Sequence, residues 1–215
     1  MLLEAVWEML EENVFPQSST GRLFNLYKDR DPQVDLPEAP AIRRANLRSY
    51  LNAYDELPDV FLLAEAPGPW GCRFSGVPIT SEAQLLDTTF PVHGDRTSIT
   101  GSPHTEYSAG IHWRVLARYF PAFLTWNTVP FHPHRRGEPL SIRTPTAGEI
   151  DAFVSVVKSF LGVIQPRYVA AVGRKAQRAL DRLDVPNTYV RHPSQGGARI
   201  FEEQVIELLK AAGIA

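Results

Sequence analysis

Cysteine is almost absent from this chain: of its 215 residues, Cys72 alone carries a thiol. A single cysteine excludes a disulfide within the chain, and it excludes any four-cysteine zinc or iron–sulfur site. The composition fits a reducing compartment. Also missing is any uninterrupted apolar stretch near the roughly 20 residues that a membrane-spanning helix needs, and no charged-then-apolar leader precedes a small-residue cleavage site. A soluble, cytoplasmic protein with no membrane partner is expected. Nor is there an excess of positive charge, since 22 Lys and Arg stand against 24 Asp and Glu for a formal net charge of −2. Lys and Arg that neutralise phosphates supply most nonspecific DNA affinity, so bulk attraction to a polyanion is disfavoured and any nucleic-acid contact must be local. Internal repeats and low-complexity tracts are absent too.

What is present suffices for one domain over residues 1–215, because a chain of this size buries roughly 70% of its unfolded surface and needs no staple. A monomer is expected, with residues 1–55 forming a helical region that packs on the rest. Apolar residues at helical spacing (Leu3, Val6, Trp7, Leu10) predict a helix over 2–12, and RRANLRSYL predicts another over 41–51. Between them, residues 32–40 read as loop. Four strands are predicted over 58–64, 123–129, 167–172 and 187–191, separated by helices over 111–119, 147–161 and 174–183. Each is long enough for a right-handed crossover. The fold class is therefore α/β, a three-layer α/β/α sandwich around a central, mostly parallel four-stranded sheet. Thr146-Ala147-Gly148-Glu149 has the form of a capping box at the start of one of those helices.

Two short segments carry the chemistry. Residues 60–71 read VFLLAEAPGPWG, a continuous apolar run that stops at Glu65 and breaks into Ala66-Pro67-Gly68-Pro69. Residues 189–197 read YVRHPSQGG, where an extended run stops at Arg191-His192 before proline and glycine. A third strand ends at Trp126-Asn127. In open parallel sheets the ligand crevice lies outside the carboxyl ends of the strands, which is where Glu65, Asn127 and His192 fall. Alone, a glutamate before a turn is ordinarily a cap and a lone histidine a satisfied structural group. The conjunction carries the inference.

Taken together, these motifs resemble the uracil-DNA glycosylase superfamily, whose members carry a GEAPG-like first motif, an asparagine strand end and an HPS second motif. The resemblance runs from about Arg43 to Phe201 and includes GCRFSGVP at 71–78, WNTVPFHPH at 126–134 and the VGRKA turn at 172–176. Ala64 replaces the first glycine. The resemblance implies a cofactor-free, monofunctional DNA glycosylase that hydrolyses the N-glycosidic bond of a deaminated base, most simply uracil, in base excision repair. Glu65 would then orient water and stabilise the sugar cation, and His192 would donate to the departing base as a neutral imidazole. Asn127 would read the base through its amide. Ala66, Gly68, Phe74 and Ile79 would border the base, with Phe74, Trp70 or Phe131 in place of a stacking phenylalanine where this chain has Ile79. Pro67, Ser194, Gln195, Gly196, Gly197 and Arg199 would handle DNA.

Several departures shape the expected specificity. Gly68 stands where strict uracil enzymes have a tyrosine that blocks the thymine methyl, which loosens base discrimination. The loop after HPS offers no leucine wedge, so Gln195 or Arg199 is expected to fill the stack, favouring uracil in single-stranded or mismatched DNA. Arg135, Arg136 and Arg143 would border the groove or lie in a solvated loop. His132 and His134 form an HxH pair without an acidic or cysteine neighbour at ligand spacing, so no metal is expected. Glu106, Ser108 and Trp113 in TEYSAGIHW belong to the resemblance without an assigned role. Two other readings stand beside the first: action on another base such as hypoxanthine or xanthine, and a nucleic-acid-binding module without turnover. An aromatic platform at the pocket would favour the enzyme, and a pocket acidic throughout or closed by Ile79 would favour the module.

Overall fold

The computed structural model describes residues 3–215. Helix α1 (Glu4–Asn13) buries Val6 and Leu10, four residues apart on one face, and packs against α6 far along the chain. Leu2, where the predicted helix begins, lies outside the described residues. Strand β1 (Leu23–Phe24) follows, then α2 (Ala39–Asn52), which starts two residues before the predicted boundary because Pro40 sits in its first turn, where a missing N–H costs nothing. Next come β2 (Val60–Ala64), the single-turn helices α3 (Cys72–Ser75) and α4 (Glu82–Leu85), and α5 (Tyr107–Leu116) continued by a 3₁₀ turn. Helix α5 begins four residues earlier than its apolar period predicts, since Ser108 and Ala109 are buried although neither reads as an apolar anchor.

The second half runs β3 (Phe123–Asn127), β4 (His132–Pro133), α6 (Ala147–Ile164), β5 (Tyr168–Val172), α7 (Arg174–Arg182), β6 (Thr188–Val190) and α8 (Ala198–Ala211). The capping box opens α6: Thr146 Oγ1 accepts from the Glu149 amide at 3.3 Å, and Glu149 Oε2 accepts from the Thr146 amide at 2.7 Å. β1 and β4 form a small antiparallel pair that the sequence pattern does not reveal. The main sheet has the order β3-β2-β5-β6, and every pairing in it is parallel. Helices flank it, α7 on β5 and α8 on β6, in the expected α/β/α layering. Wholly buried VFLLA of β2 lies at its centre, as a strand covered on both faces must.

N-terminal helix α2 reaches the sheet through tyrosines. Tyr54 Oη donates to the Phe123 carbonyl at 2.9 Å, and Tyr50 Oη accepts from the Thr125 amide at 2.8 Å. Deeper is a buried cluster of charge. Asp35 pairs with both Arg43 and Arg73, and all three side chains are fully shielded from solvent. Arg73 also stacks over the rings of Phe24 and Phe74, at 4.4 and 4.3 Å from their centroids. Burial, then the neighbouring Arg73, pull the Arg43 guanidinium down to about 10. Removing one partner of such a group leaves an uncompensated buried charge, which costs roughly 3–5 kcal/mol. Asp35→Asn should therefore lower the unfolding free energy by about that amount, measured as a fall in the urea midpoint. A shift under about 0.5 kcal/mol, the range of an ordinary surface substitution, would show that the arginines do not need the carboxylate.

Candidate active site

Parallel strands all end on one edge, so the order β3-β2-β5-β6 sets Asn127, Glu65, the Gly173 turn and His192 side by side. The ends of β2 and β3 are tied beyond their register: the Thr128 amide donates to the Ala64 carbonyl at 2.8 Å and the Val129 amide to the Glu65 carbonyl at 3.1 Å. Strand β2 is continued by a crossover to one neighbour and β5 by a crossover to the other, so the topological switch lies between them. A cleft of about 530 Å³ opens there. Its lining includes Glu65, Ala66, Pro67, Gly68, Trp70, Glu106, Lys175, His192, Ser194 and Gln195. Glu65 and His192 follow strands two places apart, about 10 Å at the usual strand spacing, which is room for one flat ring.

His192 is held by its own loop. The Ser194 amide donates to Nδ1 at 3.2 Å, and the Ser194 hydroxyl lies 2.8 Å from the same nitrogen. An amide can only donate, so Nδ1 is unprotonated and Nε2 carries the hydrogen. Burial, then Arg191, draw the ring down to about 4, so it is a neutral donor at neutral pH. The turn that follows demands glycine: a Cβ on Gly197 would lie 2.1 Å from the His192 carbonyl, while Gln195 and Gly196 both have positive φ. Gly197 then caps α8, a helix that anchors the loop through Phe201, Val205 and Leu209. Its period is plain in the sequence, but a reading centred on the HPS loop passes over it.

Glu65 is half-buried. Burial pushes its carboxyl up, and the Lys175 ammonium across the cleft pulls it back. Lys175 and Arg174 open α7, after Gly173 at φ +94, and the Arg174 guanidinium lies 4.0 Å over the Tyr189 ring. His132 is buried, and its Nδ1 donates to the Pro67 carbonyl at 2.7 Å, which braces the turn after Glu65. His134 Nδ1 donates to the Arg135 carbonyl at 2.9 Å. Among the described residues no cluster of three or more His, Cys, Asp and Glu has the arrangement of a metal site.

Other predicted residues lie behind the cleft wall. Phe74 is fully buried between Arg73, His104 and Trp70, and does not line the cleft. Trp70 does line it, 40% exposed and stacked on Phe74 at an interplanar angle of 15°. Phe131 packs on Phe153 in the core. Ile79, buried with Ala64 and Ala109, neither borders nor closes the cleft. Asn127 is buried beside Cys72, with Nδ2 3.6 Å from the thiol sulfur and Oδ1 without a partner. Gly196 and Arg199 are exposed, and Arg199 pairs with Glu203 on α8. Arg143, by contrast, lines the cleft and is bound to Glu149 through both terminal guanidinium nitrogens.

Sequence patterning misses the rim. Tyr107 (68% exposed) and Ile142 (73% exposed) both line the cleft, so apolar groups absent from the HPS loop arrive from α5 and the β4–α6 loop. Nothing in a polar loop sequence marks either one. Glu106 and Ser108 were visible only as part of the resemblance, and the structure places both at the cleft.

Three buried histidines are held neutral. Burial draws His112 down to about 3, with His192 adding to the effect; burial draws His132 to about 4 against the pull of the Pro67 carbonyl. With His192 near 4, each has a folded pKa below the ordinary 6.5. Below pH 6.5 the unfolded chain binds protons that the folded chain refuses, so stability is lost as pH falls from about 6.5 towards 4. Each such group contributes roughly 1.4 kcal/mol per pH unit in that window. The raised carboxyls of Glu65 and Glu106 act in the opposite sense, in the window that runs upward from the ordinary value of 4.5. The urea midpoint should thus drop clearly between pH 7 and 5; a flat profile would show that the histidines titrate normally.

Comparison with known proteins comes to the same fold. The crystal structure of wild-type Pedobacter heparinus SMUG2 superposes with a TM-score of 0.70 over 100% of this chain and 99% of that one, at 13% identity. No curated protein matches in sequence. The family model of the Uracil DNA glycosylase superfamily matches residues 51–213, a span that holds Glu65, Asn127, Glu106 and His192. The chain thus belongs to the uracil DNA glycosylase superfamily of DNA glycosylases.

Proposed function

We propose that this protein is a monofunctional DNA glycosylase that excises uracil, acting as a single domain and without a cofactor. The observation that carries this reading is the pairing of a half-buried carboxylate, Glu65, with a neutral Nε2–H donor, His192, across one ring-sized cleft. Water adds at the anomeric carbon while the bond to the base nitrogen breaks, its electron pair leaving with the base. Glu65 orients the water and takes its proton, and its charge faces the sugar cation. His192 donates to the base carbonyl oxygen that gains negative charge, and because it is neutral it loses no proton to the solvent at pH 7.

Support for turnover over passive binding comes from the cleft's own make-up. It is neither acidic throughout nor closed by Ile79: Arg174, Lys175 and Arg191 line it with the two glutamates. Trp70 supplies an exposed aromatic face for a flipped base, worth roughly 1–3 kcal/mol by stacking. Base reading falls to the backbone of Ala66 and Gly68 at the cleft, with Asn127 buried behind Cys72 as support for that wall. DNA phosphates meet Ser194 and the amides of exposed Gln195 and Gly196 beside Pro67, while Gly197, whose amide donates to the Ser194 carbonyl, shapes the turn. The absence of a tyrosine at Gly68 keeps hypoxanthine and xanthine within reach as alternative substrates.

Glu65→Gln keeps shape and removes charge, so single-turnover excision should fall at least about 100-fold. His192→Ala should slow cleavage more than it weakens binding of a nonhydrolysable uracil analogue. Wild-type rates that match those of Glu65→Gln would move the water-directing role elsewhere, and an inert wild type on uracil, hypoxanthine and xanthine strands would leave the binding module. Strand state is a separate test: with Gln195 rather than leucine in the loop, uracil opposite adenine should be cut more slowly than uracil opposite guanine or in single strands. Equal rates at one salt concentration would show that another rim group fills the stack.

A further inference from the structure

Glu106 lies 41 positions after Glu65 in sequence and shares its cleft. Its carboxyl fills the space where side chains of the first motif's turn would project: a Cβ on Gly68 would sit 2.3 Å from Oε2, and a Cβ on Gly71 would sit 2.3 Å from the same atom. The wall beyond the Glu65 turn is therefore made by Glu106. Oε1 accepts from the Ser108 hydroxyl at 2.5 Å, whereas Oε2 is buried against the Gly71 backbone and makes no hydrogen bond of good geometry. Among the described residues no Lys or Arg forms an ion pair with it, so the ordinary reason for a buried carboxylate is missing. Cys72 lies between this acceptor and Asn127, whose Oδ1 is likewise unpartnered and whose Nδ2 faces only the weak acceptor sulfur. Burial pushes the Glu106 carboxyl up while the Ser108 hydroxyl and the Gly71 amide pull it back, and in the ionised form both oxygens are acceptors only.

We propose that Glu106, which lines the cleft, is a specificity-determining residue: Oε2 accepts a hydrogen bond from the ring N–H of the flipped base. This rests on the glycosylase reading above and names what the cleft selects. Deamination turns the ring nitrogen of cytosine (N3) or adenine (N1) from an acceptor into an N–H donor beside a new carbonyl. An acceptor-only oxygen at that edge welcomes uracil, hypoxanthine and xanthine alike and meets the lone pair of cytosine or adenine with repulsion. The residue thus reads the chemical change of deamination, whether the ring is a pyrimidine or a purine.

The test needs a readout that a bracing role would not move. Binding of 1-methyluracil and 1,3-dimethyluracil, followed by protein NMR shifts, isolates the N–H without requiring turnover. Wild-type protein should bind the monomethyl compound at least about tenfold more tightly, since a site built for an N–H rejects an analogue lacking it. In Glu106→Ala that preference should fall to within about twofold, and in Glu106→Gln, whose amide can turn its N–H outward, the uracil-to-cytosine excision ratio should drop at least about tenfold. Equal binding of both compounds by the wild type, or a preference that survives in Glu106→Ala, overturns the proposal. So does a loss of activity with every ratio kept, which marks a brace for the Gly68 turn. An inert wild type that still shows the methyl-sensitive, Glu106-dependent binding would remove the glycosylase reading and leave this one standing.

Discussion

Four buried charges hold the site in place. Asp35 neutralises Arg43 and Arg73, and Glu82 supplies the second negative charge near them. Arg73 lies in the helical turn that follows the Glu65 loop, so the segment that carries Glu65 is anchored to a residue from the N-terminal region. Glu82 accepts from the amides of Thr97, Ser98 and His104. Burial alone would raise its carboxyl, but those bonds and the Ser98 hydroxyl outweigh it and hold the group below the usual range. His104 is two residues before Glu106. One network therefore sets both walls of the cleft, and its N-terminal part, Asp35 and Arg43, lies outside the span matched by the family model.

Parallel topology does the rest. Because all strands end together, groups from distant sequence positions need only follow a strand end to meet, and short turns suffice to aim them. Neutral histidines suit this place. A charged imidazole at His192 would compete with Lys175 for Glu65 and, in the reaction proposed above, would weaken the contrast between binding a neutral base and stabilising its anion. Burial keeps it uncharged, while Arg174 and Lys175 at the start of α7 keep positive charge at the rim, where phosphate contacts belong. Such an arrangement is compatible with a chain of net charge −2.

The strands were legible because each is an apolar, β-branched or aromatic run that gives way to a turn former, and Glu65, Asn127 and His192 fall at or just past those ends as the pattern predicts. The aromatic platform was not. Trp70 and Phe74 are four apart across a turn and a single helical turn, and which ring covers the other depends on Arg73 and His104 packing from below. A hydrophobic pattern records that both are large and apolar, not which one faces water. The β1–β4 pair escaped for a similar reason, since two residues a side give no period to read.

Glu106 shows a different limit. The glycines at 68 and 71 look like turn punctuation, yet neither has positive φ. Each is glycine because a carboxyl from α5's N-terminal edge occupies the side-chain direction. The chemistry that a longer residue at 68 would bring to the cleft is thus brought from elsewhere in the chain, and a motif that looks reduced is completed through space. A glycine without positive φ is, in such a site, a pointer to whatever fills its missing side chain.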